Sequence, residues 1–163
     1  MVSFKIAAQT TLTPDEIVNG MLEQSNWTSF KGSGLVPGIT EVEIIVSDNE
    51  LNGTVFKVKN SDGSHHEETI IDYKLGEYLV MKLHKFSSPL NKFATHFHET
   101  WTFDRQNDLT YFERAFDLFP KNFLGKILLP TIAMFLKKGV ERHTETIVNA
   151  TNSNEPIIQN SDE

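Results

Sequence analysis

The chain has 163 residues, 39% of them hydrophobic and 23% charged, which suits one domain with a real core and excludes collagen-like, wholly disordered and membrane-spanning chains. Its 15 Lys and Arg against 22 Asp and Glu leave a net charge of -7, so nucleic acid is not expected as a partner. The absence of cysteine excludes disulfides, thiolate nucleophiles, iron–sulfur clusters and Cys-ligated zinc, and fits a cytoplasmic location.

Val2, Phe4, Ile6 and Ala8 alternate with Ser3, Lys5 and Ala7, which predicts a first strand. No basic region leads into a long apolar run here, so no export signal is expected. Thr13-Pro14-Asp15-Glu16 combines an N-cap, a proline at the first helical position and a capping-box acid, and predicts a short helix to about Glu23. Trp27 and Phe30 mark a second short turn. Lys31-Gly32-Ser33-Gly34-Leu35-Val36-Pro37-Gly38 reads as a loop, because neither a helix start nor Gly-Lys-Ser/Thr follows to make it a phosphate cradle.

From residue 39 to 119 the period becomes two, with turn residues about every ten positions. Strands are predicted around Val42–Val46, Phe56–Val58, His65–Tyr73, Tyr78–Lys85, Phe93–Phe103 and Leu109–Leu118, separated by Ser47-Asp48-Asn49, Asn60–Ser64, Leu75-Gly76, Ser87–Leu90 and Arg105–Asp108. The result is an antiparallel meander. Residues 120–148 predict one long helix with Pro120 at its first position. At 1.5 Å per residue it would span roughly 42 Å, with a bend at Pro130. Its apolar run from Phe123 to Leu136 is too short to cross a bilayer. Residues 1–148 are expected to form the domain and 149–163 a polar, acidic, flexible tail.

The 12 Phe, 3 Tyr and 2 Trp need an interior or a ligand to lie against. On the sixth strand Phe93, Thr95, Phe97, Glu99, Trp101 and Phe103 share one face; on the seventh, Thr110, Phe112, Arg114, Phe116 and Leu118 share the matching one. A turn at Gln106-Asn107 would set Phe103 against Thr110, Trp101 against Phe112, Glu99 against Arg114 and Phe97 against Phe116. The one acid and the one base of these faces then meet. Three readings stand: a salt bridge that sets register, a polar anchor for a ligand head group, or an acid–base couple. Trp101, Phe97, Phe112 and Phe116 would supply the apolar wall.

His96 and His98 point the same way on one strand, as two metal ligands could, but they fall opposite the aromatic face and a third ligand would have to come from a neighbouring strand. No metal and no cofactor is expected. Glu68 shares a face with His66 and Ile70, and alternation leaves open whether that face or the one of Ile71 and Tyr73 is inward. Phe123, Ile127, Thr131, Met134 and Phe135 are expected to face the sheet or line its cavity. Lys137, Lys138 and Arg142 complement the dipole at the helix end.

Several words carry a further resemblance by their order. They are Trp27 and Phe30 before Gly34-Leu35-Val36-Pro37-Gly38, then Asn60-Ser61-Asp62-Gly63-Ser64-His65-His66-Glu67-Glu68 and Phe86-Ser87-Ser88-Pro89-Leu90, then Glu99-Thr100-Trp101-Thr102-Phe103, Thr110, Arg114 and Pro120. Over about residues 1–148 this resembles the START-like, helix-grip proteins of the SRPBCC superfamily, in particular bacterial members related to polyketide cyclases and lipid-transfer proteins. The resemblance implies an α+β fold: a seven-stranded antiparallel sheet curled around a long C-terminal helix, with two short helices between strands 1 and 2. It also implies a cavity for a hydrophobic or amphipathic small molecule. Members include carriers, sensors, chaperone activators and some enzymes, so fold membership selects no reaction. Binding or transport of such a ligand is the leading expectation, with a cyclase or dehydratase and a protein-interaction domain as alternatives. No stable membrane insertion is expected, and a homodimer stays open.

Overall fold

The computed structural model describes residues 1–47 and 51–152. The first alternating segment forms β1 (Val2–Thr10), and the capping box opens α1 (Pro14–Leu22). There the Glu16 backbone N–H donates to Thr13 Oγ1 at 3.2 Å and the Thr13 N–H donates to Glu16 Oε2 at 2.7 Å, satisfying two donors that a helix start otherwise leaves open. A short α2 (Gln24–Trp27) follows. Its Trp27 indole donates to the Met21 carbonyl and lies 4.9 Å from the Phe56 ring, tying both helices to the sheet.

Six strands complete the meander: β2 (Ile39–Val46), β3 (Val55–Asn60), β4 (His65–Lys74), β5 (Tyr78–His84), β6 (Ala94–Gln106) and β7 (Leu109–Pro120). All neighbours pair antiparallel in the order β1-β7-β6-β5-β4-β3-β2, so the first strand closes onto the last. The turn expected at Ser47-Asp48-Asn49 falls largely on residues 48–50, outside the described residues. Alternation assigns one face to the interior. Phe56, Val58, Ile70, Leu79, Met81, Phe97, Trp101, Phe112, Phe116 and Leu118 are all buried there. The long helix α3 (Phe123–Asn152) packs along β1 and β7 and runs unbroken through Pro130, which sits on its exposed side. No helix among the described residues is long and apolar enough to cross a membrane.

Three expectations need correction. Pro120 is the last residue of β7 rather than the first of the helix. Asn122 caps α3 instead: its Oδ1 accepts from the Gly125 N–H at 2.9 Å while its Nδ2 donates to the Lys92 carbonyl at 2.8 Å. Gly125 lets the helix start approach the sheet this closely, since a Cβ there would lie 2.0 Å from the Phe93 carbonyl oxygen. Second, α3 continues to Asn152, past the boundary expected at 148; residues 153–163 of the expected tail lie outside the described residues.

Third, the β6–β7 hairpin turns at Asn107-Asp108, with Asn107 at a φ of 56°, a conformation asparagine tolerates. The register therefore slides by two residues: Trp101 faces Arg114, Glu99 faces Phe116, Phe97 faces Leu118 and Phe103 faces Phe112. A slip of one would have turned the aromatic set outward. A slip of two keeps the side chains from Phe97 onward on their faces and changes only their partners. Before Phe97 a bulge between Ala94 and His96 shifts the phase, so Ala94 is buried, Thr95, expected inside, is exposed, and Phe93 precedes the strand.

Candidate functional site

Between the inner face of the sheet, α3 and the loop at residues 35–37 lies a cavity of about 670 Å³. Its wall is mostly apolar, with Trp27, Phe30, Phe86, Phe97, Trp101 and Phe116 among its rings. Glu99 and Arg114 meet in that wall. Although diagonal rather than opposite, they bond through one oxygen: Arg114 Nε donates to Glu99 Oε1 at 2.9 Å and Nη2 lies 2.7 Å from the same atom. Diagonal neighbours are still within reach of long side chains. Arg114 Nη1 donates to His143 Nδ1 and to Thr144 Oγ1, each at 3.1 Å. All three guanidinium nitrogens are thus engaged by protein acceptors. The guanidinium carbon also sits 4.2 Å from the centre of the Trp101 ring, a cation–π contact.

These contacts fix the protonation of the site. An arginine donates only, so His143 Nδ1 must accept and the proton of a neutral ring resides on Nε2. Burial, reinforced by the Arg114 charge, lowers the His143 pKa to about 3, so the imidazole is neutral at ordinary pH. Burial pushes the Glu99 carboxyl up from its ordinary value; the Arg114 charge opposes this and the Glu68 carboxylate adds to it. Trp101 Nε1 is buried without a hydrogen bond of acceptable geometry, although it is near enough to Glu99 to help hold the carboxylate charge.

Glu68, whose orientation alternation left open, faces inward and is 5% exposed. Its Oε1 lies 2.9 Å from His66 Nε2. The ambiguity has a physical source: β4 changes phase at a bulge between Ile70 and Asp72. His66, Glu68 and Ile70 face inward before it, Ile71 is exposed, and Tyr73 packs on the core after it. The face of His66, Glu68 and Ile70 is therefore inward before the bulge, and of the alternative face only Tyr73 turns inward after it.

Of the other expected wall residues, Phe97, Trp101 and Phe116 line the cavity. Phe112 does not: it stacks on Trp101 with ring centres 5.7 Å apart and belongs to the solid core beside the cavity. The helix assignments need a larger correction. Phe123, Ile127 and Met134 are 77%, 55% and 48% exposed and form no part of the wall, while Thr131 lines the cavity from an exposed position at its edge. The buried stripe of α3 is Leu129, Ala133, Leu136, Val140 and Thr144, and Leu128, Ile132, His143 and Ile147 complete its cavity side. From Phe123 to Leu136 the helix is apolar almost all round, so periodicity marks no inner face there. His143 and Thr144 were missed for this reason. The signal lay downstream, where Lys137, Lys138, Glu141 and Arg142 define a polar side and leave Val140, His143 and Thr144 opposite it.

The glycine loop is fastened to this helix. Arg142 Nη2 donates to Ser33 Oγ at 2.8 Å. The dipole role expected of Lys137, Lys138 and Arg142 needs correction, because α3 runs on to Asn152 and its last turn holds no basic residue. Gly34, at a φ of 54°, lies so near Phe135 that a Cβ there would be 2.3 Å from its ring. His96 and His98 lie on the outer face, their rings 4.9 Å apart, with His96 stacked on Phe119. Among the described residues no three His, Asp or Glu side chains are grouped to hold a metal ion.

No family model and no curated protein matches the sequence. Solved structures match in shape. Protein MLL2253 from Mesorhizobium loti is similar at a TM-score of 0.66 and 10% identity, over 95% of this chain and 100% of its own. Protein XoxI from Bacillus cereus gives 0.61 at 11% identity, over 93% and 96%. Major latex-like protein 151 from Panax ginseng gives 0.59 at 14% identity, over 91% and 99%. At such identities the likeness is one of fold, and the fold is the helix grip: a seven-stranded antiparallel sheet with a long C-terminal helix and two short helices after the first strand.

Proposed function

We propose that this domain binds a hydrophobic or amphipathic small molecule, lipid-like or polyketide-like, inside its cavity and carries or presents it, with the cytoplasm as its location. The observation that carries the reading is the cavity itself. At about 670 Å³ it falls in the range of small-molecule sites, and it combines an apolar lining with a few convergent polar groups. A solid core would have no use for a buried charged pair, since such a pair contributes little net stability. Engagement of every Arg114 nitrogen by protein acceptors speaks against the cyclase or dehydratase alternative in which that residue polarises a substrate carbonyl. Native mass spectrometry of the purified protein before and after organic extraction tests the reading, together with titration of the extracted protein with an apolar fluorophore. Saturable binding, weakened by filling the cavity with Val140→Trp in a variant that stays folded, is the expected result. An extracted, folded protein that binds no apolar probe refutes it.

A second reading, a protein-interaction domain, has one observation in its favour: Phe123, Leu124, Ile127 and Met134 leave an exposed apolar strip along α3. Light scattering over a concentration series tests for self-association through it. A monomer at every concentration, with no change on Phe123→Ser, removes the dimer from consideration.

A further inference from the structure

We propose that the cavity selects a cationic head group: an amine on an apolar or aromatic body, its ammonium held between the carboxylates of Glu68 and Glu99. The inference rests on the cavity-binding reading and narrows its ligand class.

The polar groups around the cavity are unbalanced. Among the described residues its wall and rim carry four carboxylates, Glu16, Asp62, Glu68 and Glu99, against Arg114 and the histidines His65, His66 and His143, with no lysine. Glu16 and Asp62 are occupied locally, with Thr13 and with Ser64. Glu68 and Glu99 are different. Their side chains are only 7% and 8% exposed, and each spends one oxygen, Oε1, on a protein partner: His66 for Glu68, Arg114 for Glu99. Among the described residues neither Oε2 accepts a well-formed hydrogen bond, the Trp101 indole N–H lying near the Glu99 carboxylate without making one, and neither is sealed off in the way that Trp101 Nε1 is. Both residues line the cavity, and we assign these two oxygens to its surface.

Arg114 is largely engaged within the protein. Four of its five N–H groups go to Glu99, His143 and Thr144, its face is taken by Trp101, and its charge is already paired with Glu99. A carboxylate entering the cavity would therefore meet two buried acids and a guanidinium already paired with one of them, with a single N–H remaining. An ammonium would donate to both open oxygens through charge-assisted bonds. The strand pairing sets the two acids around an aromatic patch. Glu68 faces Leu83 and Leu83 faces Phe97 across β5, and Glu99 follows Phe97 by two residues on β6. Phe97 and Phe86 lie with ring centres 4.8 Å apart, providing π faces beside the same position. The Glu68 charge already raises the Glu99 pKa, and a bound cation would relieve that repulsion.

The experiment compares naphthylmethylamine, naphthylmethanol and naphthoic acid, which share a ring system and differ in the polar end, by titration calorimetry near neutral pH. The amine is expected to bind at least about tenfold tighter than the acid, with the alcohol between them. Glu68→Gln keeps the shape and the His66 contact; it should weaken the amine by about tenfold and move the alcohol by less than about twofold. Glu99→Gln risks the fold because it abandons Arg114, so Glu68→Gln, checked by its unfolding curve, carries the test. An acid that binds as tightly as the amine overturns the inference, as does a Glu68→Gln variant that holds both amine and alcohol unchanged. Equal binding of all three probes overturns the head-group selection and leaves the cavity reading standing. Binding of none overturns both.

Discussion

Arg114→Met strips the cavity wall of its guanidinium and leaves Glu99 buried without a counterion. The side chains of the pair are 5% and 8% exposed, so little water can compensate, and breaking such a pair from one side costs about 3–5 kcal/mol. Against a total stability of about 5–15 kcal/mol this is a large loss, equivalent to a drop in Tm of roughly 6–20 °C for a domain of this size. Part of the cost is avoidable by protonation, which gives the loss a pH signature. Glu99 already has a raised pKa, chiefly from burial. The folded protein thus holds its proton to higher pH than the unfolded chain, and stability falls as pH rises through the folded value. Without Arg114 that value rises further, so the variant should lose stability with rising pH over a wider window than the parent. Urea unfolding followed by tryptophan fluorescence at several pH values measures this. The double variant Glu99→Leu with Arg114→Met should be more stable than Arg114→Met alone by at least about 2 kcal/mol, because the unpaired charge is gone. A loss under about 1 kcal/mol for the single variant, or a double variant no more stable than it, would refute the reasoning.

Three other outcomes follow from the same contacts. His143, with a pKa lowered to about 3, stays neutral in the fold while the unfolded chain takes up a proton below about pH 6.5; its contribution is complete above that value and is lost as pH falls towards 3. Relative to His143→Asn, which keeps an acceptor for Arg114 and does not titrate, the parent should lose about 1.4 kcal/mol per pH unit in that interval, and parallel pH–stability curves would contradict the burial argument. Gly34→Ala forces a Cβ against Phe135 at a positive φ and should cost at least about 1 kcal/mol in thermal unfolding; a smaller cost in a Phe135→Ala background separates the clash from the backbone strain. Leu129→Ala should cost about 2–5 kcal/mol, whereas Ile127→Ser on the exposed side should stay within about 0.5 kcal/mol; equal effects in unfolding curves would overturn the assignment of the inner face of α3.

The elements were legible because they rest on local rules. The Thr13–Glu16 capping box and the alternation in β1 and β5 act over a few positions, and the structure retains them. The faces of β6 and β7 were legible too, since a two-residue period survives a two-residue slip, and it placed Glu99, Trp101, Arg114 and Phe116 on one surface. What the pattern left undecided is what a local rule cannot carry. One turn residue, Asn107, decided the register and made the Glu99–Arg114 contact diagonal. A bulge past Ile70 changed the phase of β4, so that Glu68 before it and Tyr73 after it both turn inward. The orientation of α3 depended on packing, because a helix segment apolar on every side can bury any of them; the choice of Leu129, Ala133, Leu136 and Val140 brought His143 and Thr144 to Arg114. The sequence by itself thus determined an antiparallel meander between a capped helix and a long C-terminal one, with an acid and a base on one aromatic face, since alternation and capping follow from backbone geometry. Only the tertiary structure decided that the base is held by Glu99, His143 and Thr144 at once and that a second acid, Glu68, joins it in the cavity wall, because those partners come from elements far apart in the chain.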